Sequence, residues 1–316
     1  TAFEYNLNDK DHLNIVYTGS FTPDQYSNSL TSGNYQASNV DKYVETRMHN
    51  VTLQYHSGVG FDVGGDYTHY TSDNNQTLLA DYADGGQSSF SIIGGQKIDR
   101  YSIYADRKRH LAKEWNLGYG ISYRFAKDRD FQTYDKVTGD IPTENTDSRL
   151  REQTANFYVS LSRNYATGTS VSVSATGEYY TIGGYRKWAV YPQASLTYVK
   201  SPKHLFQLSL STDKTYPGYW DMQSSVSHLN GYTELWGTPG LKPSTTYNLN
   251  GNYIWKQKYI FGLFFMHTSD FFVQTGYQST DRLALIYKNT NWNYMQMWGA
   301  NIILPFKAGN WLDSRL

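Results

Sequence analysis

The sequence predicts an all-β fold: part of an antiparallel up-and-down transmembrane β-barrel, with about fourteen long strands, short turns and long loops in alternation. Three observations predict it. Apolar and polar residues alternate with period two in segment after segment. Many segments run to roughly ten residues, the length that crosses a bilayer core when tilted. The connections between them are short and long by turns, as in barrels with short periplasmic turns and longer extracellular loops.

Taken in chain order, alternation appears over residues 13–21, 51–55 and 61–67. It is clearest over 115–125, where Trp115, Leu117, Tyr119, Ile121, Tyr123 and Phe125 alternate with Asn116, Gly118, Gly120, Ser122 and Arg124. Successive side chains of a strand point to opposite faces, so one face here is wholly apolar and the other small or polar. Residues 155–161 follow; then Val171, Val173 and Ala175 alternate with serines, and 188–198 repeat the pattern. Phe206, Leu208 and Leu210 alternate with Gln207, Ser209 and Ser211, and Tyr247, Leu249, Gly251, Tyr253 and Trp255 with Asn248, Asn250 and Asn252. Rings stand at both ends of several of these bands: Trp115 with Phe125, Trp188 with Tyr198, Tyr247 with Trp255. That is the layout of interfacial aromatic girdles. No segment of comparable length repeats at 3.6 residues.

Short turns are expected at 8–11, 57–60, 107–114, 164–168, 200–203, 256–258 and 307–310, and long loops at 22–46, 71–89, 126–148, 214–243 and 269–292. Gly183-Gly184 is the exception, a tight turn where a long loop is due. Residues 283–287 alternate within the last loop and predict a small hairpin above the membrane. A soluble β-sandwich also alternates, because one face packs on a core. Its strands are shorter, and its loops need not alternate in length.

Composition narrows the classes. The chain has 316 residues, with 30 Tyr, 14 Phe, 8 Trp and no Cys, yet its mean hydropathy is −0.63. The most apolar run, 259–266, is far below the 18 or more residues of a membrane-spanning helix. A formal net charge of zero argues against nucleic acid as the partner. Abundant rings argue against disorder. Without Cys there is no disulfide, thiolate nucleophile or Cys-based metal site. A barrel wall reconciles many rings with a polar average, because only alternate positions are apolar.

At 214–243 the residues resemble a known family. Tyr216-Pro217-Gly218-Tyr219-Trp220-Asp221 looks like the proline-and-aromatic motif that follows a mid-barrel strand in TonB-dependent outer-membrane receptors. Trp236-Gly237-Thr238-Pro239-Gly240-Leu241-Lys242-Pro243 looks like their Gly-Asn-Pro-x-Leu-Lys-Pro segment, with Thr238 in place of Asn and Ser244 where an acidic residue is usual. The turn at Lys200-Ser201-Pro202-Lys203-His204 and the stretch 97–125 fit the same family. The resemblance implies one incomplete barrel domain over 1–316, without the plug, the first and the last strands of the family; Leu316 is not its terminal aromatic. It implies the outer membrane of a Gram-negative bacterium, a lipid surround, and TonB-dependent uptake through a plug not present in this chain. The ligand would be a small-molecule nutrient: a glycan, a peptide or a metal chelate.

The chemistry of a catalyst is not legible. No Ser sits in a Gly-x-Ser-x-Gly elbow, and the eight histidines, at 12, 49, 56, 69, 110, 204, 228 and 267, lack metal-site spacing. The reading is therefore no enzyme, no cofactor and no metal. Asp128, Asp130, Asp135, Asp140, Glu144 and Asp147 share the 126–148 loop with Lys127, Arg129, Lys136 and Arg149; the interleaved cations argue for a solvated loop over calcium. The 81–86 segment is a weaker calcium candidate that a turn explains. The ligand-binding candidates are the loop aromatics Tyr216, Tyr219, Trp220, Tyr232, Trp236, Tyr277 and Trp292, since rigid rings stack on flat ligands at low entropic cost. Packing of Trp220 and Trp236 over the barrel rim is the competing role, and an interfacial girdle is the competing role for Tyr277 and Trp292. Two other functions stay open: a soluble all-β carbohydrate-binding or carbohydrate-cleaving module, which needs two carboxylates facing across a cleft, and a structural or adhesive outer-membrane protein.

Overall fold

A computed structural model describes residues 2–32, 35–139, 143–309 and 312–315. It is almost entirely strand. The strands are β1 (Ala2–Asn6), β2 (His12–Ser32), β3 (Tyr35–Ser57), β4 (Phe61–Tyr82), β5 (Gln87–His110), β6 (Trp115–Thr138), β7 (Thr146–Asn164), β8 (Ser170–Ile182), β9 (Tyr185–Ser201) and β10 (His204–Thr215). There follow β11 (Val226–Asn230), β12 (Thr233–Trp236), β13 (Ser244–Trp255), β14 (Tyr259–Ser269), β15 (Phe272–Gln278), β16 (Leu285–Asn291), β17 (Tyr294–Ile303), β18 (Pro305–Ala308) and β19 (Leu312–Arg315). Thirteen of them form one antiparallel sheet in the order β1 to β10, β13, β14, β17, close to the fourteen expected. Its edges are β1 and β17, so the wall is not closed into a ring among the described residues. Open edges in lipid need pairing partners, because no water is there to satisfy them.

The short turns fall where expected. The β13–β14 turn is made by Lys256 and Gln257, both at positive φ (53° and 55°), and Gly183 at φ 54° turns β8 into β9. The last turn, 307–310, includes Asn310, which lies outside the described residues, as do Asp140, Trp311 and Leu316.

Three of the predicted long loops are instead strand. The 22–46, 71–89 and 126–148 segments continue β2 to β7 as tall hairpins, with β2 pairing β3 from His12 up to Ser32. The sequence hides this because the apolar parity reverses. Low in the wall, the apolar residues are at odd positions and exposed: Val51, Leu53, Val63, Ile103 and Ile121. High in the hairpins they are at even positions and buried: Val40, Leu78, Ala80, Phe90 and Ile92 form one cluster, with Tyr82 and Tyr134 against it. The outward face meets lipid below, and the inward face meets protein above. A reversal of that kind breaks a period-two count without breaking the strand.

Candidate functional site

β10 and β13 pair directly, with Thr215 opposite Ser244, so the segment between them is an excursion from the wall. It folds back over the inward face of the tall hairpins. There β11 and β12 join β16 and β15 in a four-stranded plate, with β12 and β16 parallel and the other pairs antiparallel. The hairpin expected at 283–287 is thus real, but it is built into a larger sheet.

The backbone edge of β11 is satisfied by side chains of the wall. Gln132 Nε2 donates to the Val226 carbonyl at 2.8 Å, and the Val226 amide donates to Gln132 Oε1 at 2.9 Å. Gln76 does the same at His228: the amide donates to Oε1 at 3.2 Å, and Nε2 donates to the carbonyl. Two glutamines thus replace a neighbouring strand, which a buried edge requires. The Gly231 amide adds a bond to Ser38 Oγ at 3.2 Å.

The base of the excursion is held by a buried polar group. Lys214 and the Tyr216 hydroxyl both donate to Glu178, and the Tyr191 hydroxyl donates to it at 3.2 Å. The Tyr219 hydroxyl donates to Glu152. Beside them Met222 and Leu241 of the excursion pack on Tyr180 and Ile182 of β8. Gly237 allows a close approach there, since a Cβ would lie 2.0 Å from the Gln223 carbonyl oxygen. Thr238, which stands where the family has Asn, donates from Oγ1 to the Asn289 carbonyl at 2.7 Å. The Lys242 amide donates to Asn291 Oδ1 at 2.8 Å. The two family-like motifs stitch the excursion to β16 and to the wall.

Within the plate, Glu234 is buried and receives both Arg282 guanidinium nitrogens at 2.6 Å and Trp236 Nε1 at 2.7 Å. Burial alone would raise its pKa, but these donors hold it below the usual value. His228, also buried, lies against Phe90 and Tyr134, and burial pushes its pKa down to about 4 despite Glu234. Asp128 and Asp130 lie on β6 above its membrane-crossing part, facing inward. Burial raises Asp128 to about 7 and Asp130 to about 6. They receive Gln96 and Ser225 respectively, and each keeps one oxygen without a partner among the described residues. The alternation that sends Asp128 and Asp130 inward sends Lys127 and Arg129 outward. The cations interleaved in sequence are therefore on the opposite face. Among the described residues no group of three His, Asp or Glu could hold a metal. The 81–86 segment is a turn in which Asp84 Oδ1 accepts the Gly86 amide at 2.9 Å.

The predicted aromatics divide into two sets. Tyr216 and Tyr219 are half-buried with their hydroxyls bonded to carboxylates. Tyr232 packs on Tyr82 at 5.3 Å between centroids. Trp220 keeps an exposed face, with Lys42 Nζ 5.4 Å from its ring centre. Trp236, Tyr277 and Trp292 are exposed, and Lys288 lies 5.2 Å over the Tyr277 ring. Below the excursion is a polar cavity of about 380 Å³, lined by Asp66, Arg100, Arg124, Thr154, Asn156 and Tyr216. The Arg124 guanidinium lies 5.1 Å over the Tyr216 ring, so the cavity offers two guanidinium groups, a ring and the Asn156 amide. Arg100 was not singled out by the sequence; its even position on an outward-apolar strand was the available signal.

The sequence model of the outer membrane protein beta-barrel family matches residues 56–316. The chain belongs to this family. The protein is accordingly placed in the Gram-negative outer membrane. No curated protein matches the chain. Among solved structures, the RagAB peptide transporter aligns with a TM-score of 0.55 and 9% identity, over 98% of this chain and 44% of that one. The FpvAI–pyocin S2 complex aligns at 0.54 and 15% identity, over 98% and 47%. The siderophore receptor PirA from Pseudomonas aeruginosa aligns at 0.48 and 10% identity, over 98% and 59%. At such identities the likeness is one of fold. The chain spans about 59% of the length of PirA and less than half of the other two.

Proposed function

We propose that the chain is barrel wall of a TonB-dependent outer-membrane receptor that binds a nutrient at the extracellular mouth of the lumen. TonB would act through a plug that this chain does not contain. The observation that supports this is the excursion between β10 and β13. It folds inward, with Tyr216 lining a polar cavity beside Arg100 and Arg124, and it leaves Trp220 and Trp236 partly exposed. Exposed rings on the excursion and guanidinium groups in the cavity suit a ligand with a flat face and anionic or hydroxyl groups. That fits acidic glycans, peptides with a free carboxylate and ferric chelates.

The test is direct binding by the intact detergent-solubilised protein to panels of oligosaccharides, oligopeptides and ferric chelates, followed by calorimetry. One class should bind, and Arg124→Gln and Trp220→Ala should each weaken it at least about tenfold. Binding that neither substitution alters would remove the lumen mouth as the site. Release of a cleaved product from a bound glycan would favour an enzyme instead.

A further inference from the structure

The outward face of β4 to β7 carries charge in register. Tyr67, Tyr101, Phe125 and Gln153 stand side by side across these four strands. One step higher are His69, Asp99, Lys127 and Arg151; one step higher again are Thr71, Lys97, Arg129 and Arg149. Five exposed cations thus occupy two adjacent rows, and Lys97, Arg129 and Arg149 are direct cross-strand neighbours. Strands are about 4.8 Å apart, so three positive groups share roughly 10 Å. Like charges directly opposite each other repel, and such a row needs a counter-charge.

The protein supplies little of it. Asp147 lies 2.9 Å from Arg129 and 3.8 Å from Arg149. Asp99 accepts the Tyr67 hydroxyl at 2.8 Å and His69 Nδ1 at 2.7 Å. Among the described residues no carboxylate lies within ion-pair distance of Lys97, Lys127 or Arg151.

Directly below the rings, on the same face, is an apolar groove of about 1040 Å³. Gly65, Ile103, Tyr123 and Ala155 form one register row within it, between Tyr101 above and Ile121 below. The row is hollow at both ends, because Gly65 and Ala155 fill so little space. Gly65 cannot be replaced by a larger residue without moving the wall, since a Cβ would lie 2.7 Å from the Ser102 carbonyl oxygen. Same-face residues are about 6.7 Å apart along a strand, so Lys127 and Arg151 sit roughly 13 Å, and Lys97, Arg129 and Arg149 roughly 20 Å, along the strands above that row. With strands tilted about 40° the heights along the membrane normal are about 10 and 15 Å, the range from the upper part of an acyl chain to its lipid phosphate.

We propose that this surface binds one phosphorylated lipid of the outer leaflet, with its phosphate on Lys97, Lys127, Arg129, Arg149 and Arg151 and an acyl chain in the groove. Groove and basic rows are continuous on a face that already meets the membrane, which suits a lipid over a free anion. Each guanidinium can donate two parallel hydrogen bonds to phosphate oxygens, so arginines in register form a phosphate site.

The test is native mass spectrometry of the intact protein in mild detergent, titrated with diphosphoryl lipid A, with the same lipid stripped of phosphate, and with inorganic phosphate. One phosphorylated lipid should be retained at least about tenfold more tightly than the stripped lipid. The triple variant Lys97→Gln, Arg129→Gln, Arg149→Gln should abolish that preference. Ala155→Phe, which fills the groove and leaves every charge in place, should weaken retention independently. Heat-modifiable migration on gels establishes that each variant is folded. Equal retention of both lipids by the wild type would overturn the proposal. So would displacement of the lipid by millimolar inorganic phosphate, which would make this a free-anion site.

Discussion

Single residues of the excursion carry charge into places without water. Glu234 is the clearest: its carboxylate has two guanidinium contacts and an indole donor. Removing one partner of a buried ion pair leaves an uncompensated charge and costs about 3–5 kcal/mol. Arg282→Ala is therefore expected to loosen the plate while leaving the wall intact. Limited proteolysis would show new cleavage at 272–291 with unchanged heat-modifiable migration. Cleavage unchanged from wild type would mean that the pair does not hold the plate. Phe90, buried against His228 and Tyr134, offers a second check. Phe90→Ala should cost about 3–5 kcal/mol and release the tops of β4 and β5, read as faster amide exchange there. The roles of these residues were not legible in the sequence. Period two marks which face a residue takes, but not which strand crosses in front of it. Nothing local tells that Gln76 and Gln132 complete the edge of β11, 152 and 94 residues away.

At the scale of elements, docking of β11 depends on pH through groups of opposite sign. His228 sits at about 4 in the fold against an ordinary 6.5. The stability it contributes is present above pH 6.5 and is lost as pH falls toward 4. Asp128 at about 7 and Asp130 at about 6 are raised from 3.8. Their contribution is present at low pH and is lost as pH rises through those folded values. Between about pH 4 and 6 the folded chain holds up to two protons that the unfolded chain has released, and refuses one that it keeps. The carboxyl pair wins, so amide protection at Val226 and His228 should rise as pH drops from 7 to 5. In the Asp128→Asn, Asp130→Asn double variant only His228 remains, and the slope should reverse. A wild-type slope of the same sign as the double variant's would contradict this. The element boundaries show where the sequence was and was not sufficient. Most of the membrane-crossing strands and the Gly183-Gly184 turn were legible, because lipid on one side and water on the other impose strict alternation; β1 and β17 were not picked out. The tops of β2 to β7 were not, because the face that meets protein there is the opposite one.

The whole molecule is a membrane wall with its polar hairpins and folded-in plate at one end and short turns at the other. The zero net charge conceals a sorting by face: around 126–130 a single strand presents Lys127 and Arg129 outward and Asp128 and Asp130 inward. The family-like motifs at 216–221 and 236–243 were legible as a resemblance, and their geometry gives the reason. They are where the chain leaves the wall, crosses under itself at Gly237 and returns. Because the chain has no Cys, single cysteines can report orientation without background. The most direct measurement labels intact cells with a membrane-impermeant maleimide after substituting Asp84→Cys, Trp292→Cys, Gln257→Cys or Leu263→Cys in turn. The first two should be labelled in intact cells, Gln257→Cys only after the outer membrane is permeabilised, and Leu263→Cys in neither. Labelling of Gln257→Cys in intact cells, or of Leu263→Cys under either condition, would contradict a strand-built wall that crosses the outer membrane in this direction.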